Sequence, residues 1–439
     1  MPILPKGNKK LTNAWAFYDW ANSVYSLVIA SAIFPIFYQG LFHLEGIDSV
    51  SVFGGNIRST PLISYTTALA FMVVAFISPL LSGIADYTGN KKGFMKFFCY
   101  LGGFSTIGLY FFSLETIYLS LFFYFLGLIG FWGSLVFYNS YLPDVAFPEQ
   151  QDALSARGYA WGYIGSVLLL IANLVMVMKP EWFGFDNAVS GMRWSFVTVG
   201  IWWILFAQYT FHCLPRGNGN KNKFTGNLVL NGFRELQKVY RSLSENLRLK
   251  RYLYAFFVYS MAVQTVMLVA TYFGEQEIGW ASEAEKTMGL IVSILIIQLV
   301  AVGGALGTSI ASKKLGNIPV LIGVNLVWIA ICIVAFFIRS PLQFYITAGV
   351  VGLVMGGIQS LSRSTYSKFL PDTRDTASFF SFYDVTEKIG IVIGMFIYGF
   401  IDQITGSMRN SVLFLALFFI IGVSLLLRVP KNTRNKHFC

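Results

Sequence analysis

Three groups of polar residues sit in otherwise apolar stretches and could do chemistry. In "FYDWANSVYSLVIASAIFPIFY", Asp19 precedes more than twenty uncharged residues. At helical spacing Asp19, Asn22, Ser23 and Ser26 share one face, which Ala30 continues. A carboxylate inside hydrocarbon costs about 3 kcal/mol on insertion scales, so such a face is expected to line a cavity or meet a partner. An ion-coupling or substrate role follows. The plain alternative is a carboxylate at headgroup depth, favouring the positive end of a helix. The second group, Asp384, Glu387 and Lys388, is spaced i, i+3, i+4, so Asp384 and Lys388 can pair along a helix and leave Glu387 spare. In the third, Gly352, Gly356, Gln359 and Arg363 fall on one stripe. Arg363 could hold a substrate carboxylate with two hydrogen bonds or snorkel to the interface. Gln264, with Thr265, could bond substrate or a neighbouring helix.

The elements that carry these groups are membrane spans. The chain has 439 residues, 55% hydrophobic and 17% aromatic, with only 12% charged, against about 25% in a soluble domain. About 20 mainly apolar residues cross the hydrocarbon core, and twelve such windows are visible: 20–42, 62–84, 94–113, 117–139, 158–178, 193–213, 252–273, 288–311, 318–338, 341–361, 378–401 and 411–428. The runs are continuous rather than alternating, so they read as helices, not barrel strands. "KGNKKLTNAW" leads straight into a full-length span without a cleavable signal pattern.

The net charge of +11 is topological rather than a sign of nucleic acid. With an even number of spans both termini share one side, and 25 of the 32 lysines and arginines fall on that terminal side. The positive-inside rule makes it cytoplasmic. The expected location is the cell (inner) membrane, with lipid as the surrounding partner. Four scattered cysteines and three isolated histidines suggest neither a disulfide nor a metal site. "VGGALG" at 302–307 lacks the Lys-Ser/Thr of a phosphate loop and reads as close helix packing.

The chain divides into a six-helix half at 1–213, a basic linker at 214–251 and a second half at 252–439 with a short basic tail. Within the linker "LVLNGFRELQKVYRSL" could lie on the membrane, though a solvated basic linker is the plainer reading. The halves repeat: "YNSYLPD" at 138–144 matches "YSKFLPD" at 366–372, an offset of 228, and "GIADYTGNKK" at 83–92 has a faded counterpart in "IASKKLGNIP" at 310–319. Duplicated halves of one orientation imply a cavity near the bilayer midplane.

Twelve spans, the repeat, the long central loop and "SGIADYTGNK" resemble the major facilitator superfamily, an all-α membrane fold of two pseudo-symmetric six-helix halves. "FYDWANSVY", "NSYLPDVA" and "FYDVTEKIG" resemble its branch of autophagy-related vacuolar amino-acid effluxers and their bacterial relatives, over essentially the whole chain. The resemblance implies a secondary transporter, not an enzyme, that exports amino acids or similar small solutes by alternating access. A proton or sodium gradient is the expected energy source, with no cofactor and a monomeric state. It also implies a cytoplasmic gate: Asp86, with Lys91 and Lys92, approaches the start of the eleventh span, which carries Asp384, Glu387 and Lys388. Lys313 occupies the acid position in the second half, so that half is expected to lack the full latch. Relatives often carry an acid early in the seventh span, where this chain has Ser260 and Met261. The alternatives are a carrier of peptidoglycan fragments, sugars or drugs, and a non-transporting receptor or scaffold of the same fold. A membrane-embedded lipid enzyme finds no convergent nucleophile, base or metal cluster.

Overall fold

A computed structural model describes residues 4–52, 54–216 and 228–430. Part of the linker and the basic tail, with His437 and Cys439, lie outside the described residues, as does the Leu228 side chain.

Among the described residues eleven helices are long and apolar enough to cross a membrane. In the first half these are the first span Lys9–Glu45, the second Ser59–Thr88, the fourth Ile117–Val145, the fifth Pro148–Met178 and the sixth Ala188–Cys213. In the second half they are the seventh Leu247–Glu277, eighth Glu285–Leu315, ninth Asn317–Phe337, tenth Pro341–Phe369, eleventh Thr376–Thr405 and twelfth Met408–Leu427. The third span, Lys91–Gly108, opens with Lys91, Lys92 and Lys96 and completes the twelve. Several spans outrun their apolar windows. The fifth begins at Pro148 rather than 158 and the tenth ends at Phe369 rather than 361, because the helix continues through polar turns that hydropathy does not register.

Two local features were not anticipated. Residues Tyr25–Ile33 of the first span are wound as a π-helix, just before Pro35, which cannot donate a backbone hydrogen bond to the preceding turn. After that span, Ser49–Val52 and Gly55–Arg58 form an antiparallel hairpin in which Val50 pairs with Ile57. Gly54 takes the left-handed conformation its turn requires, at φ +79°.

The described residues form two compact units. The first gathers residues up to Phe147, Arg157–Leu236 and Arg374–Ser381; the second gathers Pro148–Ala156, Gln237–Thr373 and those from Phe382 onward. Each unit therefore includes one short strap from the other half of the sequence. In the first unit the third and fourth spans meet at Gly102 and Gly130, where an added Cβ on Gly130 would lie 2.3 Å from Gly102 Cα. The eighth and tenth spans of the second unit are as tight, with Gly304 against Leu353 O and Gly352 against Ile297 O. This is the packing expected of "VGGALG". It also gives Gly352 and Gly356, the glycines of the Arg363 stripe, a packing role, since both are pressed on the eighth span's backbone. Arg193 of the sixth span donates to Tyr110 O beyond the third. Arg409 of the twelfth likewise donates to Phe336 O and Ile338 O at the end of the ninth, so the two units share this construction.

Between the sixth and seventh spans the linker forms a helix, Leu228–Glu245. Val239 and Leu243 are buried while Phe233 and Tyr240 are exposed.

Candidate functional site

The two straps are the opening turns of the fifth and eleventh spans, Pro148–Ala156 and Arg374–Ser381. Pro148 and Thr376, where these helices begin, are related by the repeat offset of 228.

In the first unit Asp86, at the end of the second span, accepts from the backbone N–H groups of Ala377 (3.2 Å) and Ser378 (2.7 Å). A helix leaves its first N–H groups without intrahelical acceptors and its N-terminus carries partial positive charge, so both carboxylate oxygens are used as a cap. Beside it Lys91 is bonded to Asp144 and donates to Thr376 Oγ1 at 2.6 Å. The left-handed turn at Gly89 (φ +67°) brings the second and third spans round so that Asp86 and Lys91 serve one strap. Lys92 points elsewhere: its Nζ donates to Leu214 O at 2.7 Å, closing the end of the sixth span.

In the second unit the polarity is reversed. The strap itself carries the acid: Asp152, buried, accepts from Ser312 Oγ at 3.0 Å, Asn317 Nδ2 at 2.9 Å and Lys368 Nζ. Ser155 donates to Ser360 O at 2.7 Å, and Arg363 donates Nε–H to Ser155 Oγ at 2.9 Å and Nη2–H to Ser155 O at 3.0 Å. The expected lack of a full latch in this half is corrected. Lys313 does replace an acid, but Asp152 supplies the carboxylate from the strap's side. Arg363 is 2% exposed and bonds Ser155, neither snorkelling nor presenting its guanidinium at a helix end.

Asp19 and its stripe lie within the first unit. Tyr138 Oη donates to Asp19 Oδ2 at 2.8 Å, and Trp15 stacks on Tyr138 at 4.6 Å while its Nε1 donates to Tyr138 O at 2.9 Å. Ser26 donates to Ser23 O at 3.0 Å, and Ser23 donates weakly to Asn22 Oδ1 at 3.4 Å. Gly162 of the fifth span lies against Ser23. Asn22 is buried, with Nδ2 lacking a hydrogen-bond partner among the described residues.

Asp384, Glu387 and Lys388 lie beyond the strap, in the second unit. Lys388 follows Thr376 by twelve residues, about 18 Å along the helix axis, so this group is deep rather than at the helix mouth. It meets the seventh span, where Gln264 donates to Glu387 Oε1 at 2.8 Å. The approach depends on Gly394, where an added Cβ would fall 2.2 Å from Thr265 Oγ1. Gln359 is partly buried on the tenth span.

Sequence reasoning thus placed Asp86 and Lys91 at one strap but separated neither Lys92 nor the Asp384 group from it. It missed Tyr138, Asp144, Asp152, Ser155 and Lys368 as participants. Tyr138, Asp144 and Lys368 sit inside the two repeat motifs, which is a signal that could have found them. Among the described residues no cluster of histidine, cysteine or acidic side chains could hold a metal ion.

The match to known proteins is consistent along the chain. The family model described as "Vacuole effluxer Atg22 like" matches residues 7–437. The chain is 32% identical over 427 residues to an uncharacterized MFS-type transporter, YxiO, of Bacillus subtilis, covering 97% of this chain and 96% of that protein. It is 23% identical over 431 residues to autophagy-related protein 22 of Pichia angusta, covering 85% and 76%. Among solved structures, the fold is similar to the E. coli fucose:proton symporter FucP, with TM-score 0.67 at 15% identity over 96% and 98% of the two chains. The proton:xylose symporter XylE gives 0.68 at 12% identity over 96% and 95%. These neighbours show the fold, two six-helix halves. The chain is a multi-pass membrane protein that belongs to the Atg22-like vacuole effluxer family within the major facilitator superfamily.

Proposed function

We propose that this protein is a secondary active transporter that exports amino acids or similar small polar solutes by alternating access. It sits in the cell membrane with both termini cytoplasmic and is driven by a proton or sodium gradient. The observation that carries this reading is the pair of straps. The first turn of the eleventh span is held in the first unit by Asp86 and Lys91, and that of the fifth in the second unit by Asp152 and Arg363. These attachments are hydrogen bonds and ion pairs, which water can replace when the straps release. The basic terminal side supports the orientation, and the family's description as effluxers supports the direction.

The test is counterflow and gradient-driven flux in proteoliposomes, using a panel of amino acids, sugars, peptidoglycan fragments and lipophilic drugs. Saturable movement of amino acids supports the reading. Movement of only another class replaces the substrate, and no movement of any solute overturns transport itself.

A further inference from the structure

Three charged side chains meet on the eleventh span and do not cancel: Asp384 and Lys388 are buried, and Glu387 beside them is partly exposed. Lys388 Nζ lies 2.8 Å from Asp384 Oδ1 and 3.5 Å from Glu387 Oε2, so one ammonium serves two carboxylates. Gln264 of the seventh span bonds the other oxygen of Glu387. That leaves Asp384 Oδ2, which is buried and accepts no hydrogen bond among the described residues, on a residue 6% exposed. The seventh span also brings Tyr259, whose hydroxyl is engaged with Ser362 Oγ at 2.8 Å and Tyr252 Oη at 3.1 Å. The tenth brings Tyr366, whose ring lies 4.8 Å from that of Tyr383. Neither supplies positive charge, and within this unit Lys388 is the one cation bonded to either carboxylate among the described residues. A net negative charge out of water is unfavourable unless a cation joins it, and ionisable groups inside spans usually mark ion or proton routes.

We propose that the Asp384, Glu387 and Lys388 cluster is a binding site for a monovalent cation, a proton or Na⁺, whose charge balances the second carboxylate. A proton settles on Asp384 Oδ2. The neutral carboxyl then holds Lys388 less strongly, and the ammonium turns to Glu387. A sodium ion instead takes carboxylate oxygens from both acids. Either way the bound ion sets which carboxylate Lys388 holds, and so the tension between the eleventh span and Gln264 of the seventh. That this ion drives transport rests on the function proposed above; its binding does not.

Infrared difference spectroscopy on the purified full-length protein in lipid tests the site without any substrate. For a proton, acidification produces a protonated-carboxyl C=O band that is lost in Asp384→Asn and retained in Asp19→Asn. In Lys388→Met the band appears at higher pH, because the competing ammonium is gone. For sodium, replacing choline by Na⁺ at constant pH perturbs carboxylate bands in the wild type but not in Asp384→Asn or Glu387→Gln. If Asp384→Asn does not fold, Glu387→Gln and Lys388→Met carry the same comparison. Spectra of the variants identical to wild type in both titrations overturn the site. Intact ion binding with no flux of any solute leaves the site standing and overturns the transport reading.

Discussion

Asp152 and Lys368 are ion-paired although 216 positions apart, one in the strap that opens the fifth span and the other on the last turn of the tenth. Asp152 is nearly enclosed and Lys368 partly exposed. Ser312 and Asn317 complete the carboxylate's hydrogen bonds, so the pair is the centre of a small polar network rather than a surface ion pair.

Residues in one such network should couple. Asp152→Asn and Lys368→Met are each expected to destabilise the purified protein by about 1–3 kcal/mol, since each leaves a partner unsatisfied. The double variant should cost less than the sum, with a coupling of roughly 0.5–3 kcal/mol. Thermal unfolding in detergent measures all four proteins, and strictly additive effects would show that the pair contributes nothing.

Asp86 caps the eleventh span in the first unit by a different means, through backbone N–H groups alone. Asp86→Ala removes both acceptors, a loss of about 0.5–2 kcal/mol for a helix cap. Hydrogen exchange resolved by peptide should accelerate at residues 376–381 and stay unchanged near the far end of the same helix. Uniform exchange along the helix would remove the cap from the account.

The twelve spans were legible because each carries an apolar window long enough to cross a bilayer. Their ends were not, since Pro148 to Arg157 reads as a polar loop in "PEQQDALSAR" yet is helical from its first residue. Asp152 was not singled out for the same reason. Its three partners come from residues 160 to 216 positions away, and no local spacing encodes that. Arg363 was legible as a cation on an apolar helix, but whether it meets a ligand or Ser155 depends on the strap 208 positions earlier. The Asp384 to Lys388 pairing was legible because an i, i+4 pair is closed by the helix itself.

Asp19 has a similar outcome. Tyr138→Phe keeps the ring that Trp15 stacks on and deletes only the hydroxyl donated to the carboxylate. Hydrogen bonds to charged groups contribute about 1.5–3 kcal/mol, so a drop of that size in unfolding free energy is expected. Asp19→Asn retains an acceptor for the same hydroxyl and should cost less than Asp19→Ala. Equal losses for the two Asp19 variants would mean that the charge, not the acceptor, is what the first unit needs.

Gly356 offers the sharpest test of how the second unit is held together, because its constraint comes from backbone. An added Cβ there would lie 2.1 Å from Ala301 O, and a carbonyl in the middle of the eighth span cannot rotate away as a side chain would. Gly356→Ala must therefore part the eighth and tenth spans, and overpacking of this kind costs about 1–3 kcal/mol. Gly323, in the ninth span, has nothing within 4 Å of the added atom. Gly323→Ala meets no neighbour and gains helix propensity, roughly 0.5–1 kcal/mol in an interior position. The two substitutions add the same methyl group to the same kind of residue, yet the melting temperature should fall for Gly356→Ala and hold or rise for Gly323→Ala. A fall of equal size in both would trace the effect to helix insertion into the membrane rather than to the contact with Ala301.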